Sequence, residues 1–242
     1  MTTVLTIKGA DFSANAIGFT PPVTSGLKGW WYLGQNAAQT VKDLAFLEDA
    51  LVVGTPTYGT GIATFTSLSN YLQTGVAEEA DGTVLFAARW PSPQSGTATG
   101  VPYSALNGSP YDAGLQCYIT SVSYPSATIV NFLGKSGGTA NIFSQITSND
   151  ISTRAFYSCT YASTGAHKIR NITAGTSGSG TFSGARTLNG GDIRIGSSNN
   201  TRNATCEMSF WAYYNRVLSE PEQGLVYAAV KQFLADKRSL TI

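Results

Sequence analysis

Basic clusters are missing from this chain: its longest cationic run is the pair Lys237 and Arg238, and 15 Lys and Arg are balanced by 14 Asp and Glu. A protein that tracks a nucleic-acid backbone needs a concentrated patch of cations to displace condensed counterions, so no nucleic-acid partner is expected. Long apolar runs are missing too. Nowhere do about 18 apolar residues follow one another, which argues against membrane insertion, and residues 1–8 lack the basic and apolar regions of a secretory signal. The expectation is a chain made in a cytoplasm. Histidine occurs once, as His167, and cysteine three times, as Cys117, Cys159 and Cys206. That supply is too thin for a zinc centre. The wide spacing of the cysteines among apolar and aromatic neighbours suggests buried free thiols.

Charge is scarce as well, at 12% of residues, while 26 glycines punctuate the chain. This composition suits many short strands joined by turns, and a disordered chain would be more charged and less aromatic. Sandwiches of 242 residues fold as one unit. Apolar residues alternate with polar ones over 62–65, 83–90, 115–122, 127–133, 155–161 and 167–172, with a short step at 71–72. The tracts 91–100, 134–139 and 175–184 read as loops, and 43–53 is ambiguous, helical by its Ala and Leu but ending in β-branched residues. No fixed-period repeat supports a propeller or solenoid. The fold class expected is all-β, two packed antiparallel sheets with one C-terminal helix.

Residues 1–25 differ from the rest. A short apolar stretch at Val4, Leu5 and Ile7, a turn-like 9–18 and the stiff Pro21, Pro22 pair suggest an extension that packs on its own domain or reaches a neighbouring subunit as an assembly arm. The main domain is then 26–242, with a helix at about 219–238. Ser219 and Glu222 form a capping box at its start. Leu225, Val226, Ala229, Val230, Phe233 and Leu234 make its apolar stripe. Residues 239–242 are long enough for one more short strand.

The strand before that helix is the strongest marker. From Met208 the alternation puts Met208, Phe210, Ala212 and Tyr214 on one face, read as inner, and Ser209, Trp211 and Tyr213 on the other. Three segments carry a family resemblance: Gly26, Leu27, Lys28, Gly29, Trp30, Trp31, Tyr32 at the opening; Asn70, Tyr71, Leu72; and Ile195, Gly196 followed by a polar stretch and the corner Tyr214, Asn215, Arg216, Val217, Leu218, Ser219. Over about 26–234 the chain resembles laminin-G-like, concanavalin A-like jelly-roll domains of the kind found in tailed-bacteriophage and prophage tail or virion proteins. The resemblance implies a lectin-like binding fold, a virion location and other virion proteins as partners. It also implies a homo-oligomer, with a trimer expected.

A jelly roll of this type can also be a polysaccharide hydrolase, but the Glu-x-Asp-x-x-Glu strand of the concanavalin-like glucanases is not present. The acidic groups Glu48–Asp49, Glu78–Glu79–Asp81 and Glu220–Glu222 sit in turns or cap a helix, and no nucleophile elbow nominates a serine to partner His167. No catalytic residue is assigned. The resemblance implies a weaker metal reading, in which Asp112, Asp150, Asp192 and Asn199 hold Ca²⁺ at the rim. Aromatic rings are the better lead, since sugar C–H faces pack on them while hydroxyls bond to amides and carboxylates. Trp211, Tyr213, Trp31 and Trp90 are the candidates for a glycan surface, or for a contact covered by the helix, the N-terminal segment or another subunit. The leading expectation is a non-enzymatic phage virion protein that binds a host-surface glycan, mediates assembly, or both. A purely structural capsid-decoration or tail protein is the alternative.

Overall fold

The computed structural model describes residues 20–45, 48–91, 99–106, 110–121, 128–136, 140–148, 150–163, 165–182, 184–199 and 201–242. The expected strand and turn within 1–18 lie outside the described residues, as does most of the 91–100 loop. In chain order the elements are β1 (Leu27–Tyr32), α1 (Ala37–Thr40), β2 (Leu51–Val53), β3 (Thr57–Gly59), β4 (Ile62–Thr66), β5 (Tyr71–Ala77), β6 (Gly82–Arg89), β7 (Tyr103–Ser104) and β8 (Leu115–Ser121). They continue as β9 (Thr128–Ser136), β10 (Ala140–Ser148), β11 (Ala155–Tyr161), β12 (Gly165–Asn171), β13 (Thr176–Phe182), β14 (Asp192–Ile195), β15 (Thr205–Tyr214) and α2 (Glu220–Arg238).

Two antiparallel sheets face each other. One has the order β13-β12-β11-β6-β15-β4-β3, with β1 also paired to β15, and the other the order β10-β9-β8-β7-β14-β5-β2. Between them lies the main core, which includes Trp31, Phe65, Phe86, Trp90, Tyr103, Phe132, Tyr157, Trp211 and Tyr213. All three cysteines are free and buried. A second apolar layer forms on the other side of the first sheet, where Trp30, Leu85, Phe156, Phe210 and Tyr214 meet Val226, Val230 and Leu234 of α2. The sheet that carries β15 is therefore covered on both faces. This all-β jelly-roll sandwich with one C-terminal helix is the fold class expected.

The face assignment of β15 is corrected. Opposite β6 the register shifts between Met208 and Phe210, so Ser209 is the extra residue of a β-bulge, and a bulge resets the alternation of the residues that follow. Cys206 and Met208 point into the sheet–sheet core, and after the bulge Trp211 and Tyr213 do so as well, whereas Phe210, Ala212 and Tyr214 turn toward α2.

Helix α2 starts as expected. The Ser219 side chain accepts from the Glu222 backbone and the Glu222 carboxylate accepts from the Ser219 backbone. Arg216 grips the same carboxylate with two nitrogens, at 2.6 and 3.2 Å. The Arg216 hydrogen bonds, with those of Ser219, hold the Glu222 carboxyl down to about 2. Replacing Ser219 by Ala should lower stability by about 1 kcal/mol, the usual cost of losing a side-chain cap, read as a shift of the urea midpoint with unchanged slope. The apolar stripe is narrower than expected, because Leu225 is exposed and Val226, Val230 and Leu234 make the seal. Residues 239–242 form no strand. Ile242 instead buries its side chain beside α2, where Tyr227 donates to its carbonyl. Among the described residues of the 43–53 stretch the one regular element is β2, and Asp43 accepts from the Trp30 and Ala45 amides. At the junction with the N-terminal extension, Val23 packs in the helix-side layer and its carbonyl accepts from the Tyr214 hydroxyl at 3.0 Å.

The longest strands that escape the sequence pattern are β10 and β13. β13 is a strand where a loop was expected: Thr, Ser and Gly fill it, and only its register with β12 makes it one. Its glycines allow it to crowd β10 of the opposite sheet, since a Cβ at Gly178 would overlap the Gln145 backbone. The two sheets thus close on each other along a β10–β13 seam, and the rim at the end of that seam holds the candidate site.

Candidate functional site

The four aromatic candidates do not form a binding surface. Trp31, Trp90, Trp211 and Tyr213 are each 0% exposed and belong to the core between the sheets. Trp211 lies 5.3 Å from Trp31 and 6.3 Å from Tyr213, centroid to centroid. Trp90 donates its indole N–H to the Gly100 carbonyl, and the Tyr213 hydroxyl accepts from the Glu79 amide at 2.9 Å. No ring face remains for a sugar or for another subunit. The correction follows from the bulge at Ser209 for Trp211 and Tyr213, and from the second sheet for Trp31 and Trp90.

The four metal candidates hold separate positions. Asp192 opens β14 and accepts from Gln73 at 3.1 Å. Asn199, after β14, donates to the Leu106 carbonyl. Asp112 lies before β8 near Lys135, whose pKa is lowered by burial, an effect that the Asp112 charge partly opposes. Asp150, between β10 and β11, accepts from the amides and hydroxyls of Ser152 and Thr153, and those hydroxyl bonds hold its carboxyl down to about 2. Among the described residues no three His, Cys, Asp or Glu side chains gather as a metal cluster.

Several of the acidic groups weighed for hydrolysis are likewise engaged. Glu78 is buried in an ion pair with Arg186, whose guanidinium lies 4.3 Å from the Tyr161 ring centroid. Asp81 accepts from the Ser163 amide, and Glu220 pairs with Lys168 and Arg170. His167 is not at a turn or edge but in the core, stacked on Phe132 at 4.0 Å.

What the rim does offer is a cleft of about 290 Å³ at the end of the β10–β13 seam, lined by polar side chains together with Ala155 and Ala174. Thr147 comes from β10, Asp150, Thr153 and Arg154 from the β10–β11 connection, and Asn171, Thr173 and Thr176 from the β12–β13 corner. Local hydrogen bonds fix both turns. Asp150 folds the first through Ser152 and Thr153, while in the second Asn171 accepts from the Ala174 amide and Thr173 from the Phe156 amide. Arg154 is the cation of the cleft, beside the Asp150 carboxylate. Its side chain is only 6% exposed, and it reaches Glu207 at 3.5 Å, an oxygen that Arg89 already holds at 2.6 Å. Burial, with the neighbouring Arg89, pushes its pKa down to about 10, so it stays protonated at neutral pH. Its Nε has no hydrogen-bond partner among the described residues. A buried donor left without an acceptor costs about 1–3 kcal/mol, more when charged; a ligand would meet the part of the guanidinium that lines the cleft.

A wider hollow of about 420 Å³ is bordered by Lys28, Glu48, Gly75, Val76, Ala77 and Glu79. None of those side chains carries a buried polar atom without a partner. The rim cleft is therefore the better candidate. Of its residues, only Asp150 had been singled out in the sequence. The others come from turns far apart in the chain, with no motif to join them.

No protein-family model matches the chain, and no curated protein matches it by sequence. Solved structures do match. The chain is similar to the binding domain of botulinum neurotoxin DC in complex with SialylT, at 13% identity and a TM-score of 0.63, over 86% of this chain and 52% of that one. It is similar to the receptor-binding domain of the botulinum neurotoxin C/D mosaic serotype, at 12% identity and a TM-score of 0.66, over 86% and 52%. A third match is the binding domain of botulinum neurotoxin DC in complex with rat synaptotagmin II, at 13% identity and a TM-score of 0.60, over 85% and 52%. The chain spans about half the length of these neighbours. At such identities the likeness carries the architecture and not the ligand: the chain has the two-sheet jelly-roll fold that these receptor-binding domains also contain.

Proposed function

We propose that this chain is a non-enzymatic recognition module that binds a host-surface glycan at the rim cleft formed by the β10–β11 and β12–β13 connections. The observation that carries this reading is the cleft itself, whose lining brings together Thr147, Thr153, Thr173, Thr176, Asn171 and the guanidinium side chain of Arg154. Sugar hydroxyls both donate and accept, so they match a lining of hydroxyl, amide and guanidinium groups. The cleft lies on loops at the rim of a rigid sandwich, where binding residues are disproportionately found. Its volume is near the lower end of the roughly 300–1,000 Å³ usual for small-ligand pockets. The neighbouring folds point the same way, since they are receptor-binding domains, one of them in complex with SialylT. The setting, a tail or surface protein of a phage virion built as a homotrimer, rests on the sequence resemblance at the opening strand and the closing corner.

A glycan array of bacterial envelope sugars tests this reading. Binding is expected, and the double variant Thr147→Val, Thr176→Val should weaken it by about tenfold or more, since each change removes a hydroxyl and keeps the shape. Both side chains are exposed, so the urea midpoint should not move. A protein that retains no envelope sugar, or a variant that binds as well as the parent, would contradict the reading.

A further inference from the structure

We infer that the ligand is an oligosaccharide whose chain leaves the rim cleft along the outer face of β10 and stacks a further sugar on Phe143; this rests on glycan recognition at the cleft. Strand β10 presents Ile142, Ser144 and Ile146 inward and Asn141, Phe143, Gln145 and Thr147 outward, the latter four all exposed. Thr147 belongs to both surfaces, as the last member of this row and a wall of the cleft. Phe143, 39% exposed, is the aromatic among the large apolar side chains left exposed in the described residues; the others are Leu51, Leu68, Leu188, Val217 and Leu225.

The residues beside Phe143 are organised for polar contact. Gln145 donates to Asn131 at 2.6 Å, and Asn131 donates to the Thr120 hydroxyl at 3.1 Å, a chain of two amides and a hydroxyl across β10, β9 and β8. On the other side of Phe143, Lys135 donates to Asn141 at 2.5 Å. These bonds use the Gln145 amide nitrogen and the Asn141 amide oxygen. The Gln145 oxygen and the Asn141 nitrogen are then turned to a ligand, one acceptor and one donor flanking the ring. An apolar ring between two fixed amides suits a sugar, with its C–H face on the ring and its hydroxyls on the amides. From Thr147 to Phe143 the strand runs four residues, about 14 Å at the usual rise. A single sugar in the cleft cannot reach that far, whereas a short chain can.

Calorimetric titration with mono- to hexasaccharide fragments of the envelope polysaccharide retained on the array tests the inference. Affinity should rise by about tenfold or more with chain length and then level off. Phe143→Ala should abolish that rise and leave monosaccharide binding unchanged. The Thr147→Val, Thr176→Val variant should weaken every fragment. Equal affinity for all lengths would overturn the extended path and leave the cleft reading standing, as would a Phe143→Ala protein that keeps the full gain. A change confined to the oligomeric mass of Phe143→Ala, read by light scattering, would assign the ring to a subunit contact instead. If no fragment binds, the cleft reading fails and this inference with it.

Discussion

Lowering the pH from 8 to 5 should remove about 2 kcal/mol of stability through His167 alone. The imidazole lies in the core, face to face with Phe132 at 4.0 Å and edge-on to Phe182 at 4.9 Å. Ser144, on β10 of the opposite sheet, is 2.5 Å from the His167 carbonyl and 2.6 Å from Nδ1. The hydroxyl has one proton, and giving it to the carbonyl leaves Nδ1 to carry the ring proton and donate back to Ser144. Nε2 is then a bare lone pair with no partner among the described residues. Protonating it would bury a cation among phenyl rings, and burial lowers the pKa from 6.5 to about 3.

A histidine with a lowered folded pKa stabilises fully above its unfolded value. That contribution is lost as pH falls from about 6.5 toward about 3, because the unfolded chain takes up the proton first. The window from pH 8 to 5 isolates the effect. His167 is the only histidine, and carboxylates such as Asp150 and Glu222, held near 2 when folded, are mostly ionised above pH 5 in the unfolded chain too, so each adds only about 0.2 kcal/mol or less. Urea midpoints at the two pH values should differ markedly for the parent and hardly at all for His167→Leu, whatever that variant costs at pH 8. The same acid loss in both proteins would show that His167 takes up its proton as readily in the folded core as in the unfolded chain, and would overturn the account.

Trp211→Ala should cost about 3–5 kcal/mol, the range for removing a large aromatic side chain from a packed core. This substitution separates the two assignments of β15. On an exposed face the change would fall within about 0.5 kcal/mol, as surface substitutions usually do. The indole is fully buried against Trp31 and Tyr213. Its N–H has no acceptor among the described residues, so packing is what Ala removes and Trp211→Phe should retain much of it. Chemical denaturation of the two variants is the measurement. A Trp211→Ala protein as stable as the parent would return that ring to the surface.

The contrast between β15 and the cleft shows what a sequence can carry. Period-two alternation marks β15, β6 and β11 because their residues meet a buried layer, and the capping box marks α2 because Ser219 and Glu222 are adjacent in the chain. Alternation alone does not say which face is which, and with apolar layers on both sides of β15 one bulge at Ser209 is enough to exchange them. β13 was hidden for a different reason. It pairs through its backbone and packs with glycine, so it leaves no apolar signal. β10 carries one in Ile142 and Ile146, but polar tracts surround it. Arg154, Asn171 and Thr176 looked like ordinary turn residues. They become a site only when the β10–β13 seam brings two turns to one rim.

The central claim is that this rim cleft is where the jelly roll meets its sugar. Backbone amide shifts of ¹⁵N-labelled protein, followed during titration with the array-selected polysaccharide fragment, test it most directly. The account predicts saturable shifts concentrated in residues 147–155 and 171–176, reaching 141–145 only with the longer fragments. Saturable shifts centred elsewhere, for instance around Lys28, Glu48 and Glu79, would contradict it.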